Sequence, residues 1–201
     1  MRGGKIVEPS KATKFISRWI DPRCLVGPVI FVAALHGTKS LVEAASWTLV
    51  VLSTAILPLL GFIAFQTRRG IFADDQVPTR HRRNQAYLVG NACLLVCLLI
   101  LTLLQAPKSL IALLLAMLAS GSIASGLNLH WKVSIHTGAL AGAAVSLLVF
   151  MGPLALPALA LIPLVAWTRL VLRRHTLGQV IAGGIVGASA TALTYWLMSP
   201  L

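Results

Sequence analysis

The stretch Thr168-Arg169-Leu170-Val171-Leu172-Arg173-Arg174-His175-Thr176-Leu177-Gly178-Gln179 lies between two long apolar runs. Its three arginines and one histidine stand where a membrane helix should be ending. Cationic side chains are costly in hydrocarbon, so such a cluster faces water, headgroups or an anionic ligand. His175 and Gln179 are four residues apart and share a face if a helix begins here. Arg169 is six residues upstream, where the chain is expected to turn before that helix starts. A phosphate held between a helix N-terminus and an arginine fork is the chemistry that suits this arrangement.

Outward from that stretch the chain is mostly apolar. Of its 201 residues 57% are hydrophobic and 11% are charged, whereas soluble domains carry about a quarter charged residues. The composition predicts an all-α fold, a polytopic membrane helix bundle. Apolar runs cover 44–66, 86–106, 109–129, 137–151, 154–168 and 178–198. A further run, Cys24 to His36, contains Pro28 and is shorter than the roughly 20 residues a spanning helix needs. It crosses only by borrowing flanks such as Trp19 and Ile20, so the expectation is six or seven transmembrane helices. Pro107 and Gly152-Pro153 mark tight turns, and Pro157 and Pro163 should kink the run over 154–168. Residues 1–23 form a basic leader, amphipathic on the membrane surface or disordered, without the pattern of a signal peptide. Residues 24–201 form a single helical domain.

The polar loops are Gln66 to Gln85, His130 to Thr137 and Thr168 to Gln179. Two apolar runs separate each loop from the next, so all three should emerge on one membrane face. Net charge is +12, from 17 basic and 5 acidic residues. In a polytopic protein this points to anionic membrane lipids or a phosphorylated substrate rather than to nucleic acid. Setting aside the loop cations of a candidate site, eight basic residues remain on the loop side (Arg2, Lys5, Lys11, Lys14, Arg18, Arg23, Arg68, Arg69) and two, Lys39 and Lys108, lie opposite. With seven spans, the positive-inside tendency puts the N-terminus and the loops on the cytoplasmic face.

Taken together, the loops resemble the type 2 phosphatidic acid phosphatase superfamily. Thr168-Arg169-x5-His175-x3-Gln179 resembles its third signature, Ser-Arg-x5-His-x3-Asp. Lys132-Val133-Ser134-Ile135-His136 is similar to the second, Pro-Ser-Gly-His. Arg80-His81-Arg82-Arg83-Asn84 falls where the first, Lys-x6-Arg-Pro, should be. The departures are Gln76 and Asn84 in the first, Val133 and Ile135 in the second, and Gln179 in the third. A divergent branch with a Lys-x-Ser-x-His second motif and a glutamine closing the third is similar to this pattern. The superfamily usually places its site on the extracytoplasmic face, against the charge argument above.

The resemblance implies a membrane phosphatase acting on a lipid or polyprenyl phosphate or diphosphate, with no cofactor and no metal. It implies His175 as nucleophile forming a phosphohistidine, Gln179 as the residue orienting it, and His136 as general acid and base. Arg169, Arg83, Lys132, Ser134 and Arg80 would hold the phosphate. Lys132 is the candidate replacement for the first-signature lysine. Two other readings are a transferase passing the phosphoryl-linked group to an alcohol, and a catalytically weak lipid-phosphate-binding subunit.

Several residues carry plainer expectations. Arg173 and Arg174 read as interface cations that snorkel, His81 and His130 as solvated loop histidines, and His36 as interfacial at the opposite end. Asp74-Asp75 invites a magnesium reading, but the chain has no second acidic pair, so charge balance or salt bridging to the nearby arginines is the expectation. Cys93 and Cys97 share a helix face and read as packing residues.

Overall fold

The computed structural model describes residues 21–72 and 80–198. Residues 1–20 of the leader and the Asp74-Asp75 pair lie outside the described residues. The element order is α1 Pro22–Gly37, α2 Leu41–Arg68, α3 Arg80–Leu103, α4 Lys108–Asn128, α5 Ile135–Met151, α6 Leu161–Val171 and α7 Leu177–Met198. The described residues contain no strand. Five stretches among them are long and apolar enough to cross a membrane: α2, α3, α4, α7, and α5 with its extension to Leu159.

Two apolar helices are shorter. α1 has 16 residues and α6 has 11, giving roughly 24 and 17 Å of helix against a hydrocarbon thickness of about 30 Å. α1 begins at Pro22, capped by the Asp21 carboxylate, which accepts from the Arg23 N–H. The run expected over 154–168 is not one helix. A 3-10 turn Gly152–Ala155 and one helical turn Leu156–Leu159 precede α6, with the break at Ala160. Pro157 and Pro163 explain it, since neither ring nitrogen can donate to the preceding turn. Proline acts similarly in α2: Pro58 has no N–H, and a π turn at Leu52–Ile56 lets Leu57 N–H bond to the Leu52 carbonyl instead.

An apolar core fills the half of the bundle away from the loops. Ile30, Ala33 and Ala34 of α1, Val51 of α2, Cys97 and Leu101 of α3, and Leu110 and Leu114 of α4 meet there and are buried. Cys97 is thus a packing residue, and Cys93 beside it is half-buried. The outer faces carry exposed Leu88, Leu95 and Leu99 on α3 and Ile181, Ile185 and Trp196 on α7. Apolar residues outside and polar ones buried inside (Asn128, Thr137, Ser146, Thr168, Arg169, Thr191) suit a bundle surrounded by lipid. At the far end Ser109 Oγ donates to the Ala33 carbonyl at 2.7 Å, and His36 stacks on Phe150 with centroids 5.2 Å apart.

The contact that positions the site is between α5 and α7. Glycines recur four apart on both helices, at Gly138 and Gly142 and at Gly183 and Gly187. A Cβ added at Gly183 would collide with the Ser134 carbonyl, and one at Gly187 with the Gly138 carbonyl. The two backbones therefore touch, as small residues at such spacing permit between membrane helices. Because the contact starts at the first turns of both helices, it brings His136, on α5, beside the segment that carries His175.

Candidate active site

The segment that carries His175 is shaped by two helix ends. Arg169 is not at the turn but in the last turn of α6. Beyond it, Arg173 adopts φ +52°, its N–H bonded to the Leu170 carbonyl at 2.9 Å, while the Arg174 N–H reaches the Arg169 carbonyl at 3.0 Å. This is a Schellman close with arginine where glycine is usual. It reverses the chain so that His175 falls back toward α6. α7 then opens on Thr176-Leu177-Gly178-Gln179, a capping box in which Gln179 Oε1 accepts the Thr176 N–H at 3.2 Å.

The same Oε1 lies 3.2 Å from His175 Nδ1. A backbone N–H can only donate, so this atom is the amide oxygen, and Nδ1 must carry the hydrogen it donates. The lone pair of His175 is then on Nε2. The guanidinium of Arg83, which has no acceptor, stands 3.5 Å from that nitrogen, consistent with the same tautomer. Burial pushes His175 down to about 3, with the charges of Arg83 and Lys132 adding to the effect and the Gln179 bond opposing it. His175 is therefore a neutral imidazole at pH 7, its Nε2 lone pair aimed at a cation.

The second loop docks on this pair. Ser134 donates its N–H to the Gln179 carbonyl at 3.0 Å, and Lys132 Nζ donates to the Arg174 carbonyl at 3.0 Å. Arg83 spans the two loops: its other terminal nitrogen donates to the Val133 carbonyl at 3.0 Å. Arg83 is 3% exposed, and α3 delivers it from its first described turn. Ser134 caps α5: its hydroxyl, 2.8 Å from Thr137 Oγ1, accepts the Thr137 N–H at 3.4 Å. The Ser134 hydroxyl and N–H thus also shape the loop, tying it to Thr137 and to Gln179.

His136, in the first turn of α5, has a partner absent from the motifs. Its Nε2 is 3.4 Å from Asp21 Oδ2, and the Asp21 side chain is 4% exposed. Arg23 binds the same carboxylate through Nε at 2.9 Å and a terminal nitrogen at 3.0 Å. Burial alone would raise the Asp21 carboxyl, but the hydrogen bonds from His136 and Arg23 outweigh it and hold it well below the usual carboxylate range. Arg169 is 1% exposed, donates from Nε to Thr168 Oγ1 at 3.4 Å, and lies within electrostatic reach of Asp21, Arg23, Arg174 and His136. His136 in turn acts on the charge balance of His175.

Of the residues expected at the site, His175, His136, Gln179, Arg169, Arg83, Lys132 and Ser134 come together at one end of the bundle. Arg80 stands at the start of α3, but its side chain lies outside the described residues, as does that of His81. Arg173 and His130 are exposed, and His36 is at the far end. Asp21 went unread because it falls within the stretch 1–23, which reads as a basic leader, and its partner is 115 residues away. The paired glycines and the capping box were open signals in the sequence. Among the described residues no group of three His, Cys, Asp or Glu side chains has the spacing to hold a metal ion. Comparison with known proteins gives no match: no family model, no curated protein and no solved structure matches the chain.

Proposed function

We propose that the protein is an integral membrane phosphatase that removes phosphate from a lipid or polyprenyl phosphate or diphosphate through a phosphohistidine. The observation that carries this reading is the state of His175. It is neutral, its Nδ1–H is tied to Gln179 and its Nε2 lone pair faces Arg83. A neutral imidazole with an unprotonated in-plane lone pair is the nucleophile such a reaction needs, and the guanidinium beside it is what a phosphoryl oxygen would meet.

In this reading the headgroup enters between His175 and Arg83, and Arg83, Arg169 and Lys132 neutralise its oxygens. His175 Nε2 attacks phosphorus while His136 gives a proton to the departing alcohol or phosphate oxygen. Water then attacks the phosphohistidine as His136 takes a proton back, releasing phosphate and restoring both imidazoles. Gln179 holds the ring by its carbonyl but adds no charge to steady the imidazolium. The weak-subunit alternative rests on that missing charge.

We place α1 and α6 across the membrane as well, making seven crossings. Asp21 meeting His136 at one end and Ser109 meeting Ala33 at the other support α1 running from end to end. The basic residues near the site end then favour the cytoplasmic face for the loops and the N-terminus.

The test is phosphate release by the purified protein in detergent with EDTA, on a panel spanning phosphatidic acid and polyprenyl diphosphates. Turnover that His175→Ala reduces by about 1,000-fold or more, with label trapped on His175 after acid-free quenching, supports the reading. Undiminished turnover in His175→Ala sinks it. Product analysis with added alcohols separates hydrolysis from group transfer.

A further inference from the structure

Asp21 does more than cap α1. Capping occupies Oδ1, which accepts both the Arg23 N–H and Arg23 Nε at 2.9 Å. Oδ2 is directed across the bundle, to Arg23 at 3.0 Å and to His136 at 3.4 Å. A carboxylate this deeply buried is costly unless its partners compensate, and one of the partners is an imidazole on another helix. Glu43, the other described acidic residue, sits near Lys39 at the opposite end. Among the described residues Asp21 is thus the single carboxylate at the site, and it stands on His136, not on His175.

We propose that Asp21 is the positioning residue of His136: it holds Nε2–H on its own side and fixes the ring's orientation, so that Nδ1 is the nitrogen that carries the proton to the leaving oxygen. This rests on the phosphatase reading for its catalytic meaning, but the pairing itself does not. In the first step the P–O bond of the leaving group breaks as its oxygen takes the Nδ1 proton. Asp21 stays ionised and keeps the Nε2–H. In the second, Nδ1 takes a proton from the water whose oxygen displaces His175 from phosphorus. The two imidazoles are thereby divided in role: one kept neutral by burial and by neighbouring cations to attack, the other given a carboxylate to steady it as it carries a proton. The groups facing His136 are Asp21 and Arg23 from α1, Arg169 from α6 and His175 from the turn before α7. Of these Asp21 is the one acidic group, and it is the one that Nε2 reaches.

Asp21→Asn is the decisive variant, because asparagine caps a helix as well as aspartate does and removes only the charge. The titration of His136, followed by histidine NMR in detergent micelles, should move to lower pH by about 1 to 2 pH units in this variant. Asp21→Glu should restore part of the difference. In turnover assays Asp21→Asn should lower kcat about 10- to 100-fold at neutral pH with little change in KM, and draw the alkaline limb of the kcat profile to lower pH. An unmoved His136 titration overturns the proposal whether or not the protein hydrolyses lipid phosphate. Asp21→Ala losing thermal stability while Asp21→Asn keeps the wild-type titration and profile also overturns it, leaving Asp21 a cap. Absence of turnover in the wild-type protein, with the titration shift present, removes the phosphatase reading and leaves the pairing standing.

Discussion

Ser134 donates its backbone N–H to the main-chain carbonyl of Gln179 at 3.0 Å, while the side chain of Gln179 holds His175 Nδ1 at 3.2 Å. One glutamine thus ties the loop that carries His136 to the ring of the other histidine. Gln179→Glu keeps both side-chain bonds, since glutamate serves in a capping box equally well, and adds a charge beside Nδ1. Its expected effect is to raise His175 from about 3 by about 1 to 3 pH units and to increase kcat. Histidine NMR and lipid-phosphate turnover check this. Gln179→Leu, which orphans Nδ1 and Thr176, should lower kcat.

At Gly183 and Gly187 the α5–α7 contact should be intolerant of any side chain. Gly187→Val drives a branched group into the Gly138 carbonyl, and overpacking of this kind costs about 1 to 3 kcal/mol. A lower unfolding temperature in detergent and loss of turnover are expected together, because forcing the helices apart separates His136 from His175. Gly126→Ala is the control: a Cβ there meets nothing within 4 Å.

Arg173 occupies a left-handed position, φ +52°, and is exposed. A left-handed conformation costs a non-glycine residue about 1 to 2 kcal/mol. Arg173→Gly is therefore expected to raise thermal stability while leaving KM for a lipid phosphate unchanged. A large rise in KM would show that Arg173 binds substrate.

Acid should weaken the fold through His175. Its folded pKa of about 3 lies below its ordinary value of 6.5, so below pH 6.5 the unfolded chain takes up a proton that the folded protein refuses. Stability consequently falls as pH drops from about 6.5 toward 3, by about 2 kcal/mol at pH 5. Thermal unfolding at pH 7 and pH 5 should show a smaller acid loss in His175→Asn than in the wild type.

Much of the site was legible because apolar runs and polar loops alternate regularly, and the i,i+4 relation of His175 to Gln179 needs only a helix start. Arg83 was identified by position, and the helical register of α3 explains why it is buried while Arg82 is exposed. What the sequence hid depended on tertiary contact. Asp21 is lost within the basic leader until α1 packs on α5, and the contact of Ser134 with Thr137 shows only in the fold. The run over 154–168 counted as one apolar segment, although its prolines divide it. Residues inside the three polar loops could be found even where their partners are distant, as for Arg83 and Lys132; Asp21, outside those loops, could not.

The glycine seam between α5 and α7 has a consequence for how a membrane-dissolved molecule would approach. Main chain lies against main chain from Ser134 and Gly138 to Gly183 and Gly187, which leaves no slot there for a hydrocarbon tail. If the protein takes a lipid substrate as proposed, that molecule reaches the two imidazoles by a path other than the seam between α5 and α7.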